Sequence, residues 1–211
     1  MESKASTMFT PSMRSPNGRS VGCVGQIGER ALVPVLQELL EQYPFVIRGF
    51  HTDNGSEFVN HVVANLLHKL LIEFTKSRPR RTNDQALVES KNGSVIRKQM
   101  GSLHTPPSEA QKIQLFYREM LNVYLNFHRP CGFATEVVDK RGKVHQRYET
   151  YLTPFEKLKS LPNAERFLKP GVRMKQLEQV ARAHSDTEFA QLLQQRKAEL
   201  FRSFLDLGIL K

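Results

Sequence analysis

Asp53 and Glu89 are the two carboxylates whose surroundings suit chemistry, and 35 residues lie between them. Asp53 follows a short apolar run, FVIRGF (45–50), and precedes Asn54-Gly55, a pair that enforces a sharp turn. A carboxylate at the carboxyl end of a parallel strand faces the crevice where open α/β sheets hold their ligands. Glu89 falls in the first turns of a helix expected after the following strand. A strand end and a helix start connected in this way can set two carboxylates side by side. A divalent cation is then the natural neutraliser, and Mg²⁺ takes one or two carboxylates together with phosphate oxygens and water. Residue by residue, Asp53 as a turn former and Glu89 as a dipole-compatible helix-start residue remain alternatives.

The cations crowd the same stretch. Residues 74–101 hold seven basic side chains (Lys76, Arg78, Arg80, Arg81, Lys91, Arg97 and Lys98) against Asp84 and Glu89. That is half of the chain's net charge of +10 in 28 of its 211 residues. Cations set on phosphates release condensed counterions, so such a focus favours a polyanion partner; a solvated basic loop is the plainer alternative. A further count bears on catalysis: residues 1–52 contain no Asp.

The elements that must position these groups follow from hydrophobic period. Residues 1–20 are rich in Ser, Pro and Gly and read as loop or disorder. VGCVGQI (21–27) is a short strand candidate weakened by Gly22 and Gly25. Leu32, Val35, Leu36, Leu39 and Leu40 form one stripe of a helix over 29–43, with Pro34 admissible only in its first turn. Pro44 closes that helix, and 45–50 is a strand. Val62, Val63, Leu66, Leu67, Leu70 and Leu71 give a second amphipathic helix, and IEFTK (72–76) another strand. After the basic loop, Thr82 and Gln85 form a capping box for a helix through about Met100. Strand–helix–strand–helix order predicts an α/β unit with parallel strands. A helix over 108–127, a loop or hairpin turning at Arg141–Gly142, a helix start at Thr153, and polar helices from Gly171 broken at His184–Ser185 complete the chain.

Composition narrows the class. With 39% hydrophobic residues the chain can build a core, and no apolar run approaches the roughly 20 residues of a membrane span. The first residues are basic but lack the apolar centre of a secretory signal. Cys23 and Cys131 are too few for a disulfide framework or a cysteine-rich zinc site, so a reduced, cytoplasmic protein with no membrane partner is expected. His128 and Cys131 form one H-x-x-C pair without further ligands nearby. His61 and His68 read as surface residues, and His51 as a strand residue that can line the site.

HTDNGSEF (51–58) and FTKSRPRRTNDQALVESKNGSVIRK (74–98) resemble the core of retroviral-type integrases and bacterial insertion-sequence transposases. The D-N-G-x-E-F turn, the T-x-S-x-P segment and the N-D-x-x-x-x-E helix opening occur in that family's order. NFHRPC (126–131), YETYLTPFEKL (148–158) and SDTEFA (185–190) resemble a bacterial subgroup of it. The resemblance implies a ribonuclease H-like three-layer α/β fold and a triad of two Asp and one Glu. It implies two Mg²⁺ or Mn²⁺ ions roughly 3.5–4 Å apart, which drive an in-line phosphoryl transfer on DNA. On this resemblance Asp53 and Glu89 are the catalytic metal ligands. Lys76, Arg78, Arg80, Arg81, Asn92, Arg97 and Lys98 are the DNA-binding residues. The family's lysines four and seven residues after its Glu are Gly93 and Ile96 here.

The family's first Asp lies on its central strand, ahead of the helix at 29–43, where this chain has none. The expectation is a core incomplete at its N-terminus: a disordered or frameshifted segment (1–20), a partial catalytic core (21–165) and a helical C-terminal extension (166–211). A shifted reading of the codons for residues 10–19 can spell T-I-N-A-V-T-E-W-Q-V, of the kind that precedes the missing Asp in this subgroup. Such a chain is a remnant of a DNA integration enzyme, inactive alone, with DNA, a second copy or a full-length transposase as partner. The alternative is a DNA-binding or transposase-interacting regulatory fragment without catalysis.

Overall fold

Leu32, Leu36, Leu39 and Leu40 recur at helical spacing, and in a computed structural model they are the buried stripe of helix α1 (Glu29–Gln42). The structure describes residues 6–7, 18, 20–26, 28–47, 49–52, 57–70, 72–76, 95, 98–101 and 106–206. Helix α1 opens with the Gly28 carbonyl accepting from Ala31 N (3.1 Å) and Leu32 N (2.8 Å). Pro34 sits in its second turn, later than the sequence pattern allows. The ring removes one intrahelical bond, and burial of four leucines, each roughly 1.5–3 kcal/mol, outweighs that loss. Tyr43, ahead of Pro44, is already extended, as the proline requires.

Next come β3 (Gly49–Thr52), α2 (Glu57–Lys69) and β4 (Glu73–Lys76), after two short strands, β1 (Ser6–Thr7) and β2 (Gly22–Cys23), earlier in the chain. The β3–α2–β4 unit has the expected parallel pairing, with Gly49 opposite Glu73, Phe50 opposite Phe74, His51 opposite Thr75 and Thr52 opposite Lys76. The strand expected over 45–50 is displaced toward its C-terminal end. Phe45 instead bridges Leu168, Val46 N donates to Phe167 O (2.9 Å), and Lys169 N donates to Pro44 O (2.8 Å). A distant segment has taken the backbone groups of 44–46, so sheet pairing starts only at Gly49. Lys169 Nζ also donates to the Leu40 (2.8 Å) and Glu41 (3.2 Å) carbonyls, capping the C-terminus of α1 with a cation.

Part of the segment expected to be loop or disorder is ordered: β1 pairs antiparallel with β2, and Gly18 and Ser20 are buried. Gly22 allows β2 to lie on α1, since a Cβ there would meet Val35 Cγ1 at 2.8 Å and Leu39 Cδ1 at 2.9 Å. The central helix α3 (107–128) begins as a 3-10 turn and continues as α-helix over Ala110–Phe116. It widens into π turns at Tyr117–Leu121 and Tyr124–His128. Its amides serve the β2 segment. Val21 N donates to Asn122 Oδ1 (2.7 Å), Asn122 Nδ2 donates to Val21 O (3.1 Å) and Gln42 Oε1 (2.8 Å), and Cys23 N donates to Gln114 Oε1 (2.8 Å).

Strands β5 (Cys131–Val138) and β6 (Val144–Leu152) make an antiparallel hairpin, followed by α4 (Pro154–Lys159). Thr153 and Glu156 close a capping box on α4 (Thr153 N to Glu156 Oε2 2.7 Å, Glu156 N to Thr153 Oγ1 3.1 Å). Helices α5 (Met174–Arg182) and α6 (Asp186–Asp206) are the C-terminal helices, broken where the sequence indicates. They are part of the core. Leu177 packs with α1, α2 and α4, while Leu193 and Phe204 pack with Val21, Cys23 and the apolar face of α3. The fold is thus mixed α and β. Among the described residues no helix is long and apolar enough to cross a membrane.

Candidate carboxylate site and nucleic-acid interface

The parallel register sets the geometry of the expected site. Thr52 and Lys76 end adjacent strands opposite each other, at the carboxyl edge where α/β sheets gather ligands. Asp53 is next in sequence after Thr52, and Arg78, Arg80 and Arg81 follow closely on Lys76. Asp53, Glu89, Arg78, Arg80, Arg81, Asn92 and Arg97 lie outside the described residues. So does most of the helix expected over 82–100, of which Val95, buried, and the turn Lys98–Met100 are described. The backbones of Lys76 and Lys98 are placed, in β4 and in that turn. Among the described residues no group of three or more His, Cys, Asp and Glu side chains could hold a metal.

The histidines and cysteines have other work. His128, at the end of α3, is 2% exposed; its Nδ1 lies 3.2 Å from Asp186 Oδ1 and its ring stacks on Phe189 at 4.3 Å between centroids. The ring therefore ties α3 to the first turn of α6, and this tie accounts for the histidine of the H-x-x-C pair. His61 and His68 are exposed on α2, as expected. Cys23 is buried, and burial pushes its thiol up to about 12, which makes it a poor nucleophile. Tyr117, packed in the same cluster, is raised by burial and by its proximity to Cys23.

The sequence reading passed over one cationic feature. The hairpin turn carries Lys140, Arg141 and Lys143 within the run Asp139-Lys-Arg-Gly-Lys143, all three exposed. Asp139 is turned inward: its Oδ1 accepts from Arg141 N (2.8 Å) and Lys143 N (2.9 Å), and its Oδ2 lies 2.9 Å from His145 Nε2. Those bonds hold the Asp139 carboxyl below its ordinary range, the Lys143 amide first. The signal was the D-K-R-G-K pattern itself, a turn sequence with three cations.

No protein-family profile matches the chain. It is similar to the uncharacterized protein y4rM of Sinorhizobium fredii (strain NBRC 101917 / NGR234), 29% identical over 123 residues, which is 58% of this chain. The match spans about a third (35%) of that relative's length.

Proposed function

We propose that this chain is a DNA-handling core of the integrase and insertion-sequence transposase kind, built on a ribonuclease H-like fold. It contributes two of the three carboxylates of a metal-dependent polynucleotidyl transferase. The observation that carries the reading is the parallel β3–β4 register, with Thr52 opposite Lys76. It supports the reading because the residue after Thr52 is Asp53 and the residues after Lys76 are the densest cations of the chain. Asp53 and Glu89 would hold Mg²⁺ or Mn²⁺, which when bound supplies Lewis-acid stabilisation of the reacting phosphate. Lys76, Arg78, Arg80, Arg81, Asn92, Arg97 and Lys98 bind and orient the DNA backbone beside those carboxylates. The remaining carboxylate comes from outside this sequence, because residues 1–52 contain no Asp.

The test is Mn²⁺ titration calorimetry on the chain and its Asp53→Asn and Glu89→Gln variants, paired with DNA nicking in Mg²⁺. Mn²⁺ binding lost in both variants, and no nicking by the chain alone, are the expected results. Unchanged Mn²⁺ binding in Asp53→Asn overturns the site, and Mg²⁺-dependent nicking by the chain alone overturns the need for an outside carboxylate.

The absence of Asp from residues 1–52 also favours a second reading, a DNA-binding or transposase-interacting regulatory fragment, with a second copy or a full-length transposase as partner. In that reading the C-terminal helices (171–211) pair with the transposase through what they leave exposed, such as Val180 and Leu205, since Leu177, Phe189, Leu193 and Phe204 are buried within this chain.

A further inference from the structure

Among the described elements the β5–β6 hairpin has the least cover. Every residue of Ala134–Val138 is exposed, and so is β6 up to Tyr151. At about 3.4 Å per residue the five exposed residues of β5 project roughly 17 Å. A two-stranded ribbon on its own is marginal in water, so its register needs local support. The turn supplies it: Gly142 N donates to Asp139 O and Asp139 N to Lys143 O (both 3.0 Å), and Gly142 takes φ +76°, a conformation natural to glycine. The tip is therefore a built, fixed turn that presents three cations.

We propose that this hairpin is a second nucleic-acid contact, a ribbon that enters the major groove of duplex DNA with Lys140, Arg141 and Lys143 on the flanking phosphates. The proposal rests on the DNA-handling reading above and adds a site distant in sequence from residues 76–98. Charge decides the occupant. The turn has three cations and one carboxylate, and that carboxylate is spent on two backbone amides and His145. Arg147 is paired with Glu149 (3.2 Å) and is not counted. A major groove roughly 12 Å wide and 8.5 Å deep admits a two-stranded ribbon, and a 17 Å projection exceeds that depth. One face of the ribbon carries Val138, Val144, Tyr148 and Tyr151, exposed by 62, 55, 54 and 65%, with the exposed pair Glu136 and Gln146 between them, whose carboxylate can accept from a cytosine amino group. Such a face suits the thymine methyls and sugar edges of a groove.

The test measures duplex DNA binding by fluorescence anisotropy from 50 to 200 mM NaCl. It compares the full chain, the variant K140A/R141A/K143A and, as control, R78A/R80A/R81A, with circular dichroism confirming each fold. Each phosphate contact contributes about 0.9 to the slope of log K against log salt, so the hairpin variant should lose about 2.7 of slope. Over that fourfold range of salt its affinity then falls about 40-fold less than the parent's. An unchanged slope and affinity overturns the proposal and leaves the DNA reading standing, with the control variant reporting on the latter. A parent chain that binds no duplex at 50 mM overturns it too, and the Mn²⁺ titration then judges the carboxylate site separately. Self-association in sedimentation that Val138→Ser with Val144→Ser abolishes, with the salt slope unmoved, assigns the ribbon to a second copy and overturns it likewise.

Discussion

Replacing Asn122 with Leu tests how residues 21–23 are held. Leu has the heavy-atom count and branching of Asn but bulkier methyl groups, so the change removes hydrogen bonds and leaves no cavity. Asn122 is buried and serves both backbone groups of Val21, a residue with no exposed surface, at 2.7 and 3.1 Å. Each buried group left without a partner costs about 1–3 kcal/mol, so the pair is worth ~2–6 kcal/mol and we expect about 3. The third bond, to Gln42 Oε1 at 2.8 Å, adds less because Gln42 is half-buried and water can replace it. With a urea dependence of ~2 kcal/mol per molar, the unfolding midpoint should drop by about 1.5 M. Asn122→Asp is the companion variant. It keeps an acceptor for Val21 N but buries a carboxylate whose folded pKa is raised. Its deficit should therefore grow as pH rises from the unfolded value near ~4 toward the folded one. A loss below ~0.5 kcal/mol for Asn122→Leu, the scale of an inert surface change, refutes the reasoning.

Other outcomes follow from the same structure. Asp186→Ala strips His128 Nδ1 of its partner in a ring whose Nε2 is, among the described residues, already buried without one, and should cost ~1–3 kcal/mol by urea unfolding. Cys23, with its thiol near 12, should be about one part in 10⁴ thiolate at pH 8. Iodoacetamide should therefore leave it unmodified until the chain is unfolded, as peptide mass mapping would reveal. The lowered Asp139 carboxyl makes the hairpin turn stable above the ordinary aspartate value. That support should vanish only as pH falls through the lower folded value, which carboxyl-carbon NMR titration reads directly.

Local pattern was enough to anticipate α1, the parallel β3–α2–β4 unit, the helix start at Thr153 and the break before α6. In each, residues a few positions apart decide the outcome: the leucine stripe, the Thr153 and Glu156 pair, the turn at Gly142. Contacts from far along the chain were not legible. Phe45 is held by Leu168, and the amides of Gln114 and Asn122 reach the backbone 91 and 101 residues away. No periodicity encodes such pairings, and they moved the start of β3 and ordered part of the first 20 residues. For the site, the sequence supplied Asp53, Glu89 and the cations of 74–101, and the fold supplies the parallel strand ends next to which two of those groups stand in sequence. The hairpin cations escaped notice because a turn rich in Lys and Arg reads as solvated surface until its lone carboxylate is seen to be turned inward.

The π turns of α3 carry one more consequence. Each widened turn accommodates one residue more than an α-helix of the same rise, so Tyr117–Leu121 and Tyr124–His128 act as two absorbed insertions. Removing one residue within either π turn would let that turn close to α geometry and leave the helix after it in phase, so the His128 ring would keep its place against Phe189 and Asp186. The same deletion in the α-helical stretch Ala110–Phe116 would instead rotate everything after it by about 100° and part the junction with α6. Length variation in this helix is thus cheap at the two π turns and expensive before them.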